Sequence, residues 1–168
     1  DEIKVSELDN KDYGFQIRRA KQSDIPHIKA ITEEAFQKYC ELAHIPKTID
    51  ALRETYDSIL NDIETKIVLV AHIDNIPVGS VRVELIDDST AYLSRFGVRV
   101  DYQSNGVGKA LMNIVDRIMK ERNIKQIQLH TASKVTPLVR FYYGRGFYID
   151  STTKDRGYIR ALLCKDYE

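Results

Sequence analysis

Apolar positions along this chain fall into two rhythms, a two-residue alternation and a three-to-four-residue repeat, which predict strands and helices in turn. Residues 15–20 read as a first strand. Ser23 and Asp24 then offer a cap before Ile25, Pro26 and His27, and Ile28, Ile31, Ala35 and Phe36 continue along one face of a helix. His44 and Pro46 break that helix within residues 43–47. Thr48 or Asp50 is expected to cap a second helix with Leu52, Tyr56, Ile59 and Leu60 on one side. Residues 66–73 and 77–86 read as two strands around an Asp74-Asn75 turn, and residues 91–100 as a fourth strand. Residues 1–14 are charged and weakly periodic, as a surface extension would be.

The strongest helical repeat follows: Val107, Ala110, Leu111, Ile114, Val115, Ile118 and Met119 share one face, and Asn123 marks the stop. Residues 125–130 read as a fifth strand with Ile127 and Leu129 facing one way and Gln126, Gln128 and His130 the other. Thr136 and Pro137 open a short helix to about Gly144, and residues 147–152 and 158–164 form a closing hairpin. The helix between the fourth and fifth strands is a crossover, so those two strands are expected to run parallel if they are neighbours. The pattern predicts one α/β domain with a mixed sheet of about six to seven strands and about four helices.

Between the fourth strand and the long helix lies Asp101-Tyr102-Gln103-Ser104-Asn105-Gly106-Val107-Gly108-Lys109. A helix start leaves N–H groups without intrahelical partners, and with the helix dipole they form a site for phosphates. Glycines let a ligand approach the backbone, and Lys109 adds a cation. Two familiar phosphate loops are excluded by spacing. A P-loop needs glycine and Ser or Thr where Gln103 and Ala110 stand, and a dinucleotide fingerprint needs a small residue where Leu111 stands.

Charge and composition narrow the class further. Twenty-five Lys plus Arg against 25 Asp plus Glu provide no net field toward nucleic acid or an anionic membrane. The two cysteines, Cys40 and Cys164, lack CxxC spacing, and the four histidines form no ligand pattern, so no metal is expected. Neither a spanning helix nor a signal peptide is expected, and a cytoplasmic location follows as the expectation.

The glycine loop resembles the acyl-CoA pyrophosphate loop of the GNAT superfamily of N-acetyltransferases, a Gln or Arg followed by x-x-Gly-x-Gly or Ala, at Gln103, Gly106 and Gly108. The lead-in Val98-Arg99-Val100-Asp101-Tyr102 is similar to the family's Val-x-Pro-x-Tyr, with Val100 in place of proline. A second motif, Phe141-Tyr142-Tyr143-Gly144-Arg145-Gly146-Phe147, resembles the family's Phe-Tyr-x-x-x-Gly-Phe, one helix and one strand downstream. Val135 and Leu138 depart from the Asn and Ala of many members.

This resemblance implies the GNAT fold, with fourth and fifth strands that splay apart beyond Val98, and acetyl-CoA as cosubstrate. It implies that the N–H groups of Ser104, Asn105, Gly106, Val107, Gly108 and Lys109 hold the pyrophosphate, and that backbone groups of Phe96 and Val98 grip the pantetheine. Arg145 and Lys134 are either phosphate partners or solvated charges. Tyr142 is the implied acid for the departing thiolate. The base is open among Glu84, His130, Glu33, Glu34 and no base at all, since an amine already neutral attacks directly. The acceptor is a small-molecule amine or a peptide, with Phe36, Tyr39, Cys40, His44 and Tyr56 as contact candidates. An acyl-CoA-binding module without turnover is the alternative, and the closing hairpin, with Tyr158, Ile159 and Leu162, is a candidate homodimer edge.

Overall fold

The computed structural model describes residues 15–168, so the expected extension at residues 1–14 lies outside the described residues. Seven strands form one sheet in the order β1-β2-β3-β4-β5-β7-β6: β1 Gln16–Arg19, β2 Ile67–Ile73, β3 Ile76–Leu85, β4 Thr90–Val98, β5 Gln126–Ala132, β6 Tyr148–Thr153 and β7 Arg160–Asp166. The helices are α1 Ile25–Ala43, α2 Tyr56–Thr65, α3 Val107–Glu121 and α4 Thr136–Gly144. Every neighbouring pair is antiparallel except β4 and β5, which the α3 crossover makes parallel.

The two faces of the sheet carry different cores. Leu69, Val81, Leu93, Ile127 and Leu129 pack against the apolar face of α3, where Val107, Ala110, Leu111, Met112 and Met119 are fully buried. Burying such side chains contributes about 1.5–3 kcal/mol each for the larger ones. On the opposite face Val68 and Val70 meet Ile25 and Ile28 of α1 and Ile59 of α2. Arg82 also points to this second face, fully buried, where its guanidinium bonds Glu54 at 2.5 and 2.8 Å and Asp62 at 2.8 Å. A buried guanidinium needs such partners, because breaking a buried pair by removing one member costs about 3–5 kcal/mol.

Several expectations are corrected at element ends. The cap of α2 is Thr55, whose hydroxyl accepts from Ser58 N at 3.1 Å, while residues 50–52 form a separate short 3-10 turn. Tyr56 therefore starts α2 with its side chain exposed rather than on the buried side. β4 stops at Val98, and a 3-10 stretch, Val100–Asn105, carries the chain to Gly106. The closing hairpin runs back on itself, so β7 is interior between β5 and β6. The free edge on that side is β6, with Tyr148 and Ile149 exposed, not the strand beside Tyr158 and Leu162.

Candidate active site

The site grows from one irregularity in β4. Between Ser80↔Gly97 and Arg82↔Ser94 the β3–β4 register slips by one residue, a bulge that holds Arg95 at φ 52°. A non-glycine residue in the left-handed region is strained and needs support. Arg95 Nε donates to Glu54 Oε2 at 3.4 Å, which ties the bulge to the buried Arg82 cluster. On its other side β4 pairs with β5 only from Thr90↔Gln126 to Tyr92↔Gln128. The strands therefore part after Tyr92, well before the expected point at Val98. The backbone groups on the edge of β4 that β5 leaves must find partners elsewhere, and this fork opens into a cavity of about 560 Å³.

One half of the cavity is built by the loop and α3. Gly106 adopts φ 83°, which glycine reaches without strain, and ends the 3-10 stretch where α3 begins. The first helical bond is Ala110 N to Gly106 O at 3.0 Å, so the N–H groups of Val107, Gly108 and Lys109 precede it, and no side chain caps them. Arg99 and the Val100 N–H both bind the Glu34 carboxylate at 2.7 Å and fasten the loop to α1. A helix start of this kind accepts a phosphate, so the residues present fit a pyrophosphate-bearing ligand.

Gly108 has a packing role that sequence reasoning missed. A Cβ there would lie 2.9 Å from Phe96 Cζ and 3.5 Å from Phe141 Cζ. The Phe96 and Phe141 rings stack with centroids 5.4 Å apart, and Tyr142 meets Phe96, Phe141 and Phe147 at 6.1, 5.6 and 5.6 Å. Tyr142 is 5% exposed, and burial chiefly, with Tyr39 and Tyr92 nearby, pushes its phenol well above the ordinary value. It stays protonated through neutral pH.

Of the expected ligand residues, Phe96, Val98, Gln103, Gly106, Gly108, Lys109 and Tyr142 line the cavity. Gln103 Nε2 donates to Val98 O at 3.2 Å, closing the loop onto its own strand. Ser104 and Asn105 are exposed beside the lining, and the Val107 side chain is in the core, leaving only its N–H for a ligand. Arg145 caps the far end of α4 and, like the exposed Lys134, does not line the cavity.

The base candidates separate clearly. Glu84 is exposed on β3 and outside the lining. Glu33 is paired with Lys29 at 2.6 Å, and Glu34 is occupied by Arg99. His130 lines the cavity, with Nδ1 2.5 Å from the Tyr92 hydroxyl. Burial first, then Arg160, holds His130 below the ordinary imidazole value, so the ring is neutral at pH 7.

The other half of the cavity is walled by α1. Phe36 and Tyr39 of α1 line it, and Tyr39 Oη accepts from Ala132 N at 2.7 Å. Burial above all pushes the Tyr39 phenol up to about 12. Cys40 turns away toward Pro46 O, His44 ends α1 at φ 56°, and Tyr56 Oη accepts from Gln22, so these three do not line it. Tyr92, Arg95, Arg156 and Arg160 were invisible as site residues, because only strand register and the fork bring them together.

The family model for the acetyltransferase (GNAT) family matches residues 28–147, which includes both the glycine loop and the aromatic motif. The chain belongs to the GNAT acetyltransferase family. Among its GNAT relatives and other matched proteins, YyaT of Bacillus subtilis is 33% identical over 100 residues, 59% of this chain and 64% of that protein. A second Bacillus subtilis relative is matched over 42% of its length, so the chain spans less than two thirds of either. The spermidine N(1)-acetyltransferase of Thermoplasma acidophilum is 23% identical over 82% of this chain and 91% of that protein. The crystal structure of the PaiA N-acetyltransferase from Thermoplasma acidophilum in complex with coenzyme A superposes with a TM-score of 0.80 at 23% identity, covering 91% of this chain and 99% of that one. The GNAT fold is thereby shared, splayed strands included.

Proposed function

We propose that this protein transfers an acetyl group from acetyl-CoA to a primary amine by direct attack through a tetrahedral intermediate. The observation that carries the reading is the fork after Tyr92, with an uncapped helix start on one side of it and Tyr142 in its wall. The N–H groups of Val107, Gly108 and Lys109 hold the pyrophosphate, with the Lys109 ammonium beside them. The pantetheine enters between β4 and β5 and supplies hydrogen bonds to backbone that β5 leaves unpaired, at Phe96 and Val98.

The reacting amine approaches from the α1 side. A lysine-like amine of reference pKa about 10.4 is mostly protonated at pH 7, so a proton must leave before attack. His130 takes it, directly or through one water, in the tautomer whose Nδ1–H donates to Tyr92 Oη and whose Nε2 is free. As the intermediate collapses, the C–S bond breaks and the Tyr142 hydroxyl gives its proton to the thiolate, whose reference pKa is about 8.5. The second proton on the attacking nitrogen leaves through water and restores the Tyr142 phenol, while His130 returns its proton to solvent. Amide and free thiol are the products.

Thiol release from acetyl-CoA against an amine panel, paired with a CoA thermal titration, tests this reading. CoA binding only the native state raises Tm by mass action, about 2.7 kcal/mol at a hundred times Kd. A Tm unmoved by millimolar CoA would remove the reading. A shift without thiol release from any amine would leave a binding module instead.

A further inference from the structure

Four cations line the acceptor half of the cavity: Lys38 on α1, Arg95 on the bulge, Arg156 in the β6–β7 loop and Arg160 at the start of β7. Lys109 belongs to the opposite, phosphate half. The acids around them are largely committed. Asp50, the only carboxylate among the described residues of the lining, bonds Arg53 at 2.9 Å. Glu54 is shared with the buried Arg82, and Asp155 reaches Arg160 Nη2 only at 3.4 and 3.5 Å. Among the described residues, neither Lys38 nor Arg156 forms an ion pair.

Arg160 carries a second, independent sign. It is 9% exposed, and its Nε is buried without a hydrogen-bond partner. An unsatisfied buried donor on a cation is costly and asks for an acceptor. Strand register places Arg160 opposite Ala132, two residues beyond His130 on the same sheet face, and Tyr92 lies on that face across the fork. The guanidiniums of Arg160, Arg156 and Arg95 all act on the Tyr92 hydroxyl by charge. They converge on the corner where the acceptor amine must be deprotonated.

We infer that the acceptor carries an anionic group, a carboxylate or a phosphate, which Arg156 and Arg160 hold while its amine faces His130 and the fork. The inference rests on the acetyl-transfer reading for what happens to that amine. Binding of the anion stands separately. Guanidinium forks suit carboxylate and phosphate equally well. A polyamine, all cation, would meet like charge here, although one GNAT relative is a spermidine N(1)-acetyltransferase.

Matched pairs that differ by one anionic group test this: tyramine against tyrosine, agmatine against arginine, and ethanolamine against phosphoethanolamine, with spermidine as the fully cationic arm. The comparison is made on affinity by calorimetry to the CoA-saturated protein, because a neighbouring carboxylate also changes amine basicity. The anionic member of at least one pair should bind about ten- to a hundredfold tighter than its partner. Arg156→Gln, at an exposed loop position, should remove most of that ratio. Arg160→Lys, which keeps charge and deletes Nε, should reduce it in part at unchanged Tm.

Equal binding within every pair, tighter binding of the members that lack the anion or of spermidine, no binding of any member, or a ratio indifferent to Arg156→Gln would each overturn the inference. Carboxylate and phosphate arms distinguish the two sources of the anion. CoA titration without acceptor is read first, so failure of the acetyltransferase reading shows itself there and not in the pair ratios.

Discussion

Replacing Tyr142 by Phe isolates one hydroxyl. The ring contacts to Phe96, Phe141 and Phe147, at centroid distances of 6.1, 5.6 and 5.6 Å, survive the change, so the aromatic wall and the fold should persist. What disappears is the hydroxyl that, in the proposed mechanism, donates to the sulfur as negative charge develops. A hydrogen bond to a charged group contributes about 1.5–3 kcal/mol, a factor of about 10 to 150 at roughly 1.4 kcal/mol per tenfold. A positioned general acid contributes about 10²–10⁴. Burial makes this phenol a weaker acid than an exposed tyrosine, which lowers the driving force for proton transfer and favours the lower part of that range. The expected fall in kcat is therefore about ten- to a thousandfold, with CoA affinity nearly unchanged. Steady-state thiol release gives kcat, and CoA titration gives affinity. Tyr143 is the control, because it is the next residue on α4 yet 52% exposed. Full activity in Tyr142→Phe, or an equal loss in Tyr143→Phe, would refute the assignment.

His130 should leave a mark on the pH profile. In the proposed mechanism its neutral form is the base, and its pKa is depressed, so log kcat/KM should steepen by one unit of slope below an apparent pKa under 6.5, beyond the slope that the acceptor amine itself imposes. His130→Gln should lower kcat/KM and abolish that extra slope; a retained second slope would assign it to another group. Gly108→Ala places a methyl 2.9 Å from Phe96 Cζ, and overpacking of this kind costs about 1–3 kcal/mol. It should lower Tm and weaken CoA binding together, because the ring it displaces belongs to Phe96, whose backbone we propose grips the pantetheine. Loss of CoA affinity at unchanged Tm would mean that the glycine serves the phosphate alone.

The sequence by itself determined the elements and one half of the site. Periodicity placed α1, α3, α4 and the strands to within about two residues, because each pattern reports which side of a local segment is buried. The loop half of the cavity was legible for the same reason: Gln103, Gly106, Gly108 and Lys109 lie within one short stretch, and a helix start is a local object. Tyr142 was legible through the motif that surrounds it, although its burial among three aromatic rings was not. Only the tertiary structure decided the other half of the cavity. Tyr92, Arg95, His130, Arg156 and Arg160 lie on three strands and a loop, and strand pairing alone sets which of them share a face. The bulge that holds Arg95 at positive φ has no sequence signal, since arginine has no preference for that conformation, and Glu54, 41 residues away, supports it. The fork after Tyr92 was misplaced by six residues for a related reason. Where a strand loses its neighbour depends on the path of the neighbour, and no pattern within β4 records it.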